Sequence, residues 1–377
     1  LGTVGFSARI SPGGFVYDVS GSCFFSNNRE NLIYLLGLVN GEPINYLLNL
    51  INPTIHFQVG DISRLPIPLK NNIYFEKLVL HATWLSKLIS EIDETTYDFV
   101  VPIIKFNISD VKEKLFSIEN EIDNIVYSSY NFSKEDQILI KEELFVNSSA
   151  IVGEESENDP EQPIMESTVT IVIAQLFYII GIVLNRFHPG VPGALGSAIY
   201  RRTDFAIGSL PEPTEEEFNE LVGDSSQFAY IDEQGGRHVF SREVEEALQK
   251  LAIPDGIAVF DPNHPRDLPA LVSRALELML GQAQAQEVIQ QAAGGDLRKF
   301  LEKDFFTQHH IKQYRKRPVY WPIQSSKRSY GFVLFHEKID RNTFYALQQE
   351  PYLPTKRRAV QLRLEELGKK VLTAQGA

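Results

Sequence analysis

The sequence has one cysteine, Cys23, among its 377 residues. A single thiol has no partner for an intrachain disulfide, and such sparing use of cysteine is typical of a reducing compartment. The neighbours of this thiol in Ser22–Phe25 are mostly apolar, which favours a buried small hydrophobe over a reactive nucleophile. The cysteine content therefore excludes a disulfide-stabilised scaffold.

Long apolar runs are also missing. The nearest, Val169–Leu184, has about 16 residues and contains Gln175, whereas a membrane-spanning helix needs roughly 18 apolar residues without interruption. The first residues do not show the pattern of a signal peptide. We therefore predict a buried helix over this run, no membrane partner and a cytoplasmic location.

Positively charged residues are fewer than negatively charged ones, which gives a formal net charge of −13 at pH 7. The excess is uneven, since Asp296–Ala377 contains 17 Lys and Arg against 8 Asp and Glu, a balance of +9 that leaves −22 for the preceding residues. An acidic protein is a poor match for nucleic acid, yet a basic C-terminal portion suits phosphate groups. The alternative is that these basic helices are simply solvated.

The hydrophobic content of 43% is that of a globular protein. Apolar residues recur at helical spacing in Leu32–Ile51 with a break at Asn40–Pro43, which predicts two short helices. Further helices are predicted over Asn71–Ser90, Ile108–Tyr127, Val169–Phe187, Pro211–Gly223, Ala270–Ala293 and Asp296–Tyr314. Asn71 or Asn72, Thr214 and Asp296 are the expected helix caps.

Strand signals are fewer. Phe6–Ile10 and Phe15–Val19 flank a Ser11–Gly14 turn, and Ile55, Phe57 and Val59 alternate with His56 and Gln58 as in a half-buried strand. Val319–Trp321 and Gly331–His336 predict a hairpin with a buried aromatic face of Tyr320, Trp321, Phe332 and Phe335. We therefore predict a mixed α/β (α+β) fold that is predominantly helical.

Arrangements typical of catalysis or metal binding are weak. Asp261 and His264 share a loop, but a second cluster of ligands does not accompany them. Gly190–Gly208 has spaced glycines without the Gly-Lys-Ser/Thr ending of a phosphate loop. His309 and His310 are adjacent, so on a helix they point about 100° apart. We assign no catalytic, cofactor-binding or metal-binding residue in this chain.

Several short segments resemble one family. They are FSARISPGGFVYDVSGSCFF (Phe6–Phe25), YLLGLVN (Tyr34–Asn40), NPTIHFQVGDISRLPIP (Asn52–Pro68), IDETTYDF (Ile92–Phe99) and RKFLEKDFFTQHHIKQYRKRPVY (Arg298–Tyr320). Together they resemble the part of PglX-like adenine-specific DNA methyltransferases, from BREX phage-defence systems, that follows the catalytic domain. Eco57I-like restriction-methylation enzymes are looser relatives.

The resemblance implies where the chemistry lies. Such methyltransferases carry an Asn/Asp-Pro-Pro-Tyr/Phe motif that holds the target amine and stacks on a flipped base, and this motif is absent here, because Asn52–Ile55 shares only two of its letters. A glycine-rich turn between a strand and a helix, suited to S-adenosylmethionine, is also not found. We therefore expect an N-terminal methyltransferase domain, missing from this chain, to bind the cofactor and transfer the methyl group.

The role implied for this chain is recognition of double-stranded DNA. Candidate contacts to phosphates are Arg9, Ser11, Lys312, Arg315, Lys316, Arg317 and Arg328. Candidate readers of base edges are Thr54, His56 and Gln58, with a solvated strand face as the alternative. The competing hypothesis is a protein-interaction module that docks other defence-system proteins.

Five regions follow from these patterns. We predict a target-recognition-like module over residues 1–70, a helical spacer over 71–152, an acidic linker over 153–162, a mostly helical middle domain over 163–293 and a basic helix and hairpin element over 294–377.

Overall fold

A computed structural model provides the fold. It describes residues 6–10, 21–52, 54, 57–68, 72–94, 96, 99, 108–155, 168–189, 213–222, 229–231, 233, 237–306, 319–326 and 330–375. Within these ranges the chain is mostly helical with a small antiparallel sheet, so the predicted α+β class is confirmed.

The first half of the chain is a helical core. Its helices are α1 Arg29–Asn40, α2 Glu42–Ile51, α3 Val59–Ile62, α4 Ile73–Ser90, α5 Ile108–Ser129 and α6 Lys134–Glu155. The predicted break between the first two is confirmed, because Gly41 is extended and Pro43 lies in the first turn of α2. The predicted asparagine cap of α4 is also confirmed, since the Asn72 side chain accepts from Tyr74 and Phe75 N–H groups.

The second half alternates helices with short strands. Its helices are α7 Thr168–Val183, α8 Glu215–Val222, α9 Arg242–Gln249, α10 Leu268–Leu280, α11 Gln282–Ala293 and α12 Leu297–Phe300, followed by a π-helical turn Leu301–Phe305, a one-turn helix Thr343–Leu347 and the C-terminal helix Leu353–Gln375. Thr214 and Asp296 cap their helices as predicted.

Two small antiparallel sheets complete the described fold. Strands β1 Tyr230–Ile231 and β2 Arg237–His238 form a short hairpin. Strands β3 Ile257–Val259, β4 Tyr320–Gln324 and β5 Gly331–Phe335 form a sheet in the order β3-β5-β4, so the predicted β4–β5 hairpin is confirmed and gains a third strand.

Strand β4 lies at the edge of this sheet. The Ser325 N–H donates to the Tyr330 carbonyl at 2.9 Å, and the His336 N–H donates to the Val319 carbonyl at 3.1 Å. Bonds to β5 in an antiparallel pair use every second residue, so the odd-numbered residues of β4 bond inward. Pro322 therefore directs its ring nitrogen, which has no hydrogen, towards the outer edge.

Apolar residues gather into two large clusters. The first lies between the helices α1, α2, α4 and α5. The second joins α7, α9, α10 and α11 with the buried residues of β4 and β5. Each cluster also holds a residue from the other half of the chain, since Leu221 of α8 packs in the first and Phe99 packs in the second.

A buried ion pair joins the two halves. The Arg186 guanidinium, which follows α7, lies 3.1 Å from the Glu94 carboxylate, which follows α4, and both side chains are 5% exposed. Arg186 also donates to the Tyr320 hydroxyl at 3.4 Å and lies over the Phe187 ring. Burial raises the pKa of Tyr320 to about 12, so its hydroxyl stays protonated. Three distant segments thus meet at one guanidinium.

Asp261 and His264, considered above as loop ligands, hold the beginning of the C-terminal helix. The Lys356 ammonium lies 3.0 Å from the Asp261 carboxylate. His264 Nδ1 accepts from the Arg266 N–H, so its Nε2 carries the hydrogen that is donated to the Pro351 carbonyl at 2.9 Å.

Four local predictions are wrong. Phe6–Ile10 forms no strand, and Val59 begins α3 and is 67% exposed instead of lying on the buried face of a strand. Gly281, at φ +79°, divides the helix predicted over Ala270–Ala293. Cys23 is exposed rather than buried.

The described residues cover the predicted acidic linker only in part. Helix α6 continues into the predicted acidic linker as far as Glu155, and residues 156–162 lie outside the described ranges. The predicted boundaries of the five regions stay predictions. Among the described residues, no helix combines the length and apolar character needed to cross a bilayer.

We expect two glycines to be essential for core packing. A Cβ on Gly37 would overlap Val79 and Phe75, and one on Gly181 would overlap the Phe187 ring. Gly37→Ala and Gly181→Ala should each lower the free energy of unfolding by about 1–3 kcal/mol, measured by urea denaturation. Gly368→Ala is the matched control, because open space surrounds that exposed helical position, and it should stabilise by about 0.5–1 kcal/mol. Equal effects at all three sites would contradict the packing.

We expect the buried ion pair to be strongly coupled. Glu94→Gln or Arg186→Met should each cost about 3–5 kcal/mol of unfolding free energy, because either leaves a buried group uncompensated. The double variant should cost clearly less than the sum in a double-mutant cycle. The same cycle on the exposed Arg363–Glu366 pair, at 3.2 Å, should give a coupling energy of less than about 1 kcal/mol. Additive effects at Glu94 and Arg186 would refute the coupling.

Asp123 should make stability depend on pH. Burial, and then the Glu42 carboxylate, raise its pKa to about 7, although the Glu42 backbone N–H donates to it at 2.9 Å. The folded state then binds the proton more tightly than the unfolded chain does, so this group lowers the free energy of unfolding as pH rises from about 4 to 7. Asp123→Asn should remove that slope and raise the free energy of unfolding by roughly 1–2 kcal/mol at pH 8. Urea denaturation of both proteins at about pH 4 and at pH 8 measures the slope and the difference. An unchanged slope would exclude Asp123 as its source.

Candidate nucleic-acid interface

The segment Phe6–Ile10 is held against α1 and α2 by two asparagine side chains. The Phe6 N–H donates to Asn45 Oδ1 at 2.8 Å. The Ala8 N–H donates to Asn40 Oδ1 at 2.9 Å, and the Ala8 carbonyl accepts from Asn40 Nδ2 at 3.0 Å. Because the alternate residues bond to the helices, the backbone is fixed while the Arg9 side chain remains exposed.

A second segment, from Asn52 to α3, is organised by one carboxylate. Asp61 Oδ2 accepts from Asn52 Nδ2 at 2.8 Å and from the Gln58 N–H at 3.0 Å. Asn52 Oδ1 in turn accepts from the Thr54 N–H at 3.0 Å and from its hydroxyl at 2.7 Å. These side-chain bonds replace the backbone bonds that a strand would have needed.

The charge of Asp61 is stabilised by the same contacts. The bond from the Gln58 N–H, then that from Asn52, and the nearby Arg64 hold the pKa of the Asp61 carboxyl below its usual range. The Asn52 side chain and the Gln58 N–H are therefore bound by an ionised acceptor at neutral pH. Thr54 and Gln58 are both exposed on this fixed backbone.

The two segments touch each other. The rings of Phe6 and Phe57 lie edge to face, with centroids 5.6 Å apart, and both pack on the first hydrophobic cluster. Of the predicted contacts in the first module, Arg9, Thr54 and Gln58 are thus exposed on neighbouring segments. Ser11 and His56 lie outside the described residues.

Arg64 was missed by the sequence reasoning. It is exposed on the turn that follows α3, and it adds a positive group to the segment that carries Thr54 and Gln58. The signal was present, because Arg64 is the single basic residue between Asn52 and Pro68.

The predicted basic contacts of the C-terminal element, Lys312, Arg315, Lys316, Arg317 and Arg328, lie outside the described residues. The strand between them, β4, is described. Its Tyr320 is buried as predicted, as are Phe332 and Phe335 of β5.

The prediction for Trp321 is wrong, because this indole is 46% exposed. Side chains alternate along a strand, so burial of Tyr320 turns its neighbour to the opposite face, where Ile323 is also exposed. An exposed indole is the kind of surface on which a nucleic-acid base stacks. The sequence reasoning grouped the aromatic residues without separating odd from even positions.

Across the described ranges, His, Cys, Asp and Glu side chains do not come together in threes around a position suited to a metal ion. Glycine-rich turns that join a strand to a helix are also missing from these ranges.

Comparison with known proteins gives a consistent picture. No protein-family model matches the chain. It is 24% identical over 378 residues to the adenine-specific methyltransferase PglX of Lacticaseibacillus casei, covering 97% of this chain and 28% of that protein. It is also 24% identical over 373 residues to the adenine-specific methyltransferase BrxX of Escherichia coli, covering 94% of this chain and 29% of that protein. The chain is therefore similar along almost its whole length to PglX-like adenine-specific methyltransferases, and it spans less than a third of the length of these relatives.

Proposed function

We propose that this chain is the DNA-recognition part of a site-specific adenine-N6 DNA methyltransferase in a BREX-like phage-defence or restriction-modification system. The observation that carries the proposal is the similarity to two adenine-specific methyltransferases over nearly the whole chain. The absence of an Asn-Pro-Pro-Tyr motif from the sequence supports a recognition role over a catalytic one.

In this proposal the methyl transfer belongs to another part of the protein. An N-terminal methyltransferase domain, outside this chain, binds S-adenosylmethionine and supplies the methyl group. The present chain then selects the site and holds the duplex, so that the target adenine reaches the catalytic pocket in a fixed register.

In this proposal one group of residues contacts the DNA phosphates and a second group contacts the base edges. Arg9, Arg64 and the basic C-terminal residues Lys312, Arg315, Lys316, Arg317 and Arg328 position the duplex through its phosphates. Ser11, two residues after Arg9, is a further candidate phosphate contact, and Thr54, His56 and Gln58 are the candidate readers of base edges. The amide of Gln58 can bond to adenine N6 and N7 together, a pairing that distinguishes adenine in the major groove.

The bonds that hold Asn52, Thr54 and Gln58 support this assignment. Asp61 accepts from Asn52 and from the Gln58 N–H before any ligand arrives, so less conformational entropy is lost at these residues when DNA binds. The single exposed indole of Trp321, in sequence between the two basic segments, adds a stacking surface.

The alternative function is a protein-interaction module that docks other defence-system proteins. One observation favours it, namely the exposed apolar side chains of α6 and the C-terminal helix. The two functions differ in their response to salt, because phosphate contacts release counterions and protein contacts between apolar surfaces do not.

We expect salt-sensitive binding to duplex DNA that depends on the basic C-terminal segment. Changing Lys312, Arg315, Lys316 and Arg317 together to Ala should weaken binding by roughly 100-fold at low salt and reduce the slope of log K against log salt. Fluorescence anisotropy at two salt concentrations measures both. The matched control removes equal charge elsewhere, by changing Lys112, Lys134, Lys250 and Arg274 to Ala, and should change little. Absence of binding by the unaltered chain at low salt would favour the interaction module.

We expect Arg9 and Gln58 to affect binding in different ways. Arg9→Ala should weaken binding equally for all sequences and lower the salt slope by about 1, as a phosphate contact does. Gln58→Ala should leave the slope unchanged and reduce discrimination between the preferred site and its variants by about 1–3 kcal/mol at one position. A selected-oligonucleotide binding assay separates these outcomes, with exposed Gln284→Ala as control. Unchanged specificity in Gln58→Ala would remove it from the base readers.

A further inference from the structure

The C-terminal helix extends well beyond the contacts that anchor it. Leu353–Gln375 has 23 residues, a length of about 34 Å. Its first turn is fixed through the Lys356–Asp261 pair and the packing of Tyr352. From residue 357 to residue 372 every side chain is exposed. The helix thus presents most of its surface to possible partners.

One stripe of this helix is apolar. Val360, Leu364, Leu367 and Val371 are each 44–60% exposed, and their spacing of four, three and four residues places them on one face. Aligned aliphatic side chains of this kind mark an interaction surface rather than scattered exposure. We call them the C-terminal stripe.

A basic row runs beside the C-terminal stripe. Arg363 and Lys370 are seven residues apart and exposed, so they lie on one line about 10.5 Å apart along the axis. Each lies next to the stripe on the same side of the helix wheel. Arg363 also pairs with Glu366 of its own helix at 3.2 Å, so a partner that supplies apolar contact with negative charge alongside it would share or replace that contact.

Helix α6 carries acidic residues along one edge of an exposed apolar face, with exposed Lys134 on the other edge. Its inner side is fixed by buried Ile140 and by the Lys141–Glu42 pair at 3.5 Å. On its outer side Ile138 and Leu139 are 59% and 60% exposed, and Phe145 is also exposed. Glu135 and Glu142, seven residues apart, lie on that same outer side.

We propose that the C-terminal stripe of one copy of this chain docks on the outer face of α6 in a second copy. The two surfaces repeat with the same seven-residue period, which gives the same rise of about 10.5 Å on each helix. Apolar contact by Ile138 and Phe145 then places Glu135 and Glu142 along the basic row of Arg363 and Lys370.

The occupant is a second copy because this chain carries both complementary surfaces, and both are exposed in the same molecule. Pairing of two C-terminal helices in an antiparallel sense would bring basic rows together, which is unfavourable. When each copy places its C-terminal stripe on α6 of the other, the same contact forms twice about a twofold axis, as in a closed isologous dimer. This inference does not depend on DNA binding.

The test is the oligomeric state of the 377-residue chain, measured by light scattering after size exclusion and by sedimentation equilibrium. We expect a dimer. Two variants reverse the charges, Arg363→Glu with Lys370→Glu in one and Glu135→Lys with Glu142→Lys in the other. Each alone should weaken dimerisation by roughly tenfold or more. An equimolar mixture should form a heterodimer, because both of its contacts again join opposite charges.

Two further variants separate the apolar contact from charge. Leu364→Ser, on the stripe, should weaken the dimer, while Leu362→Ser, equally exposed but on another face, should not. A wild-type chain that stays monomeric at all attainable concentrations would overturn the proposal. So would a dimer that the C-terminal charge reversal disrupts but the α6 reversal does not affect. Circular dichroism confirms that each variant is folded.

Discussion

The fold depends on one buried guanidinium, which needs a negative charge and hydrogen-bond acceptors around it. Arg186 lies in a site that water does not reach, where an isolated charge is several kcal/mol less stable than in solution. The Glu94 carboxylate and the Tyr320 hydroxyl bond to it, and it lies over the Phe187 ring. The ends of α4 and α7 and the beginning of β4 must therefore meet at one point. This requirement links the helical core of the first half to the sheet of the second. Phe99, five residues after Glu94, packs against Phe187 in the second cluster.

The candidate interface is organised by the same kind of chemistry at the surface. Asn40, Asn45, Asn52 and Asp61 use their side chains to bond to backbone groups of irregular segments. Such bonds satisfy the polar backbone without a sheet or a helix and leave neighbouring side chains exposed. An irregular but fixed backbone of this type is well suited to placing a few polar groups against a duplex.

The sequence predicted the parts of the fold that depend on local signals. The break before α2, the caps of α4, α8 and α12 and the pairing of β4 with β5 each rest on neighbouring residues. Val59, predicted on the buried face of a strand, begins α3 instead, where the Asp61 carboxylate of the same helix accepts from the Gln58 N–H. Strand β3 was missed since it has three residues and pairs with β5 some seventy residues later. Strand parity alone does not explain the exposure of Trp321, because its cross-strand neighbour Leu334 on the same face is buried. The exposure depends on the position of β4 at the edge of the sheet.

Much of the proposed interface remains a prediction, because Ser11, His56, Lys312, Arg315, Lys316, Arg317 and Arg328 lie outside the described residues. The basic C-terminal portion and the acidic part that precedes it were visible from residue counts alone. The C-terminal helix was not predicted, although Val360, Leu364, Leu367 and Val371 recur at helical spacing in the sequence. A sequence pattern reports an amphipathic face equally well whether its partner lies in the same molecule or in another.

Pro322 limits how a partner can approach the hairpin. An open sheet edge normally invites an extended peptide to add as a further strand, because unpaired N–H and C=O groups continue along it. On β4 the central outward position lacks its N–H, so a continuous ladder cannot form there. Any molecule that approaches this edge of the sheet must therefore contact the side chains that project from β4 and cannot extend its ladder of backbone bonds.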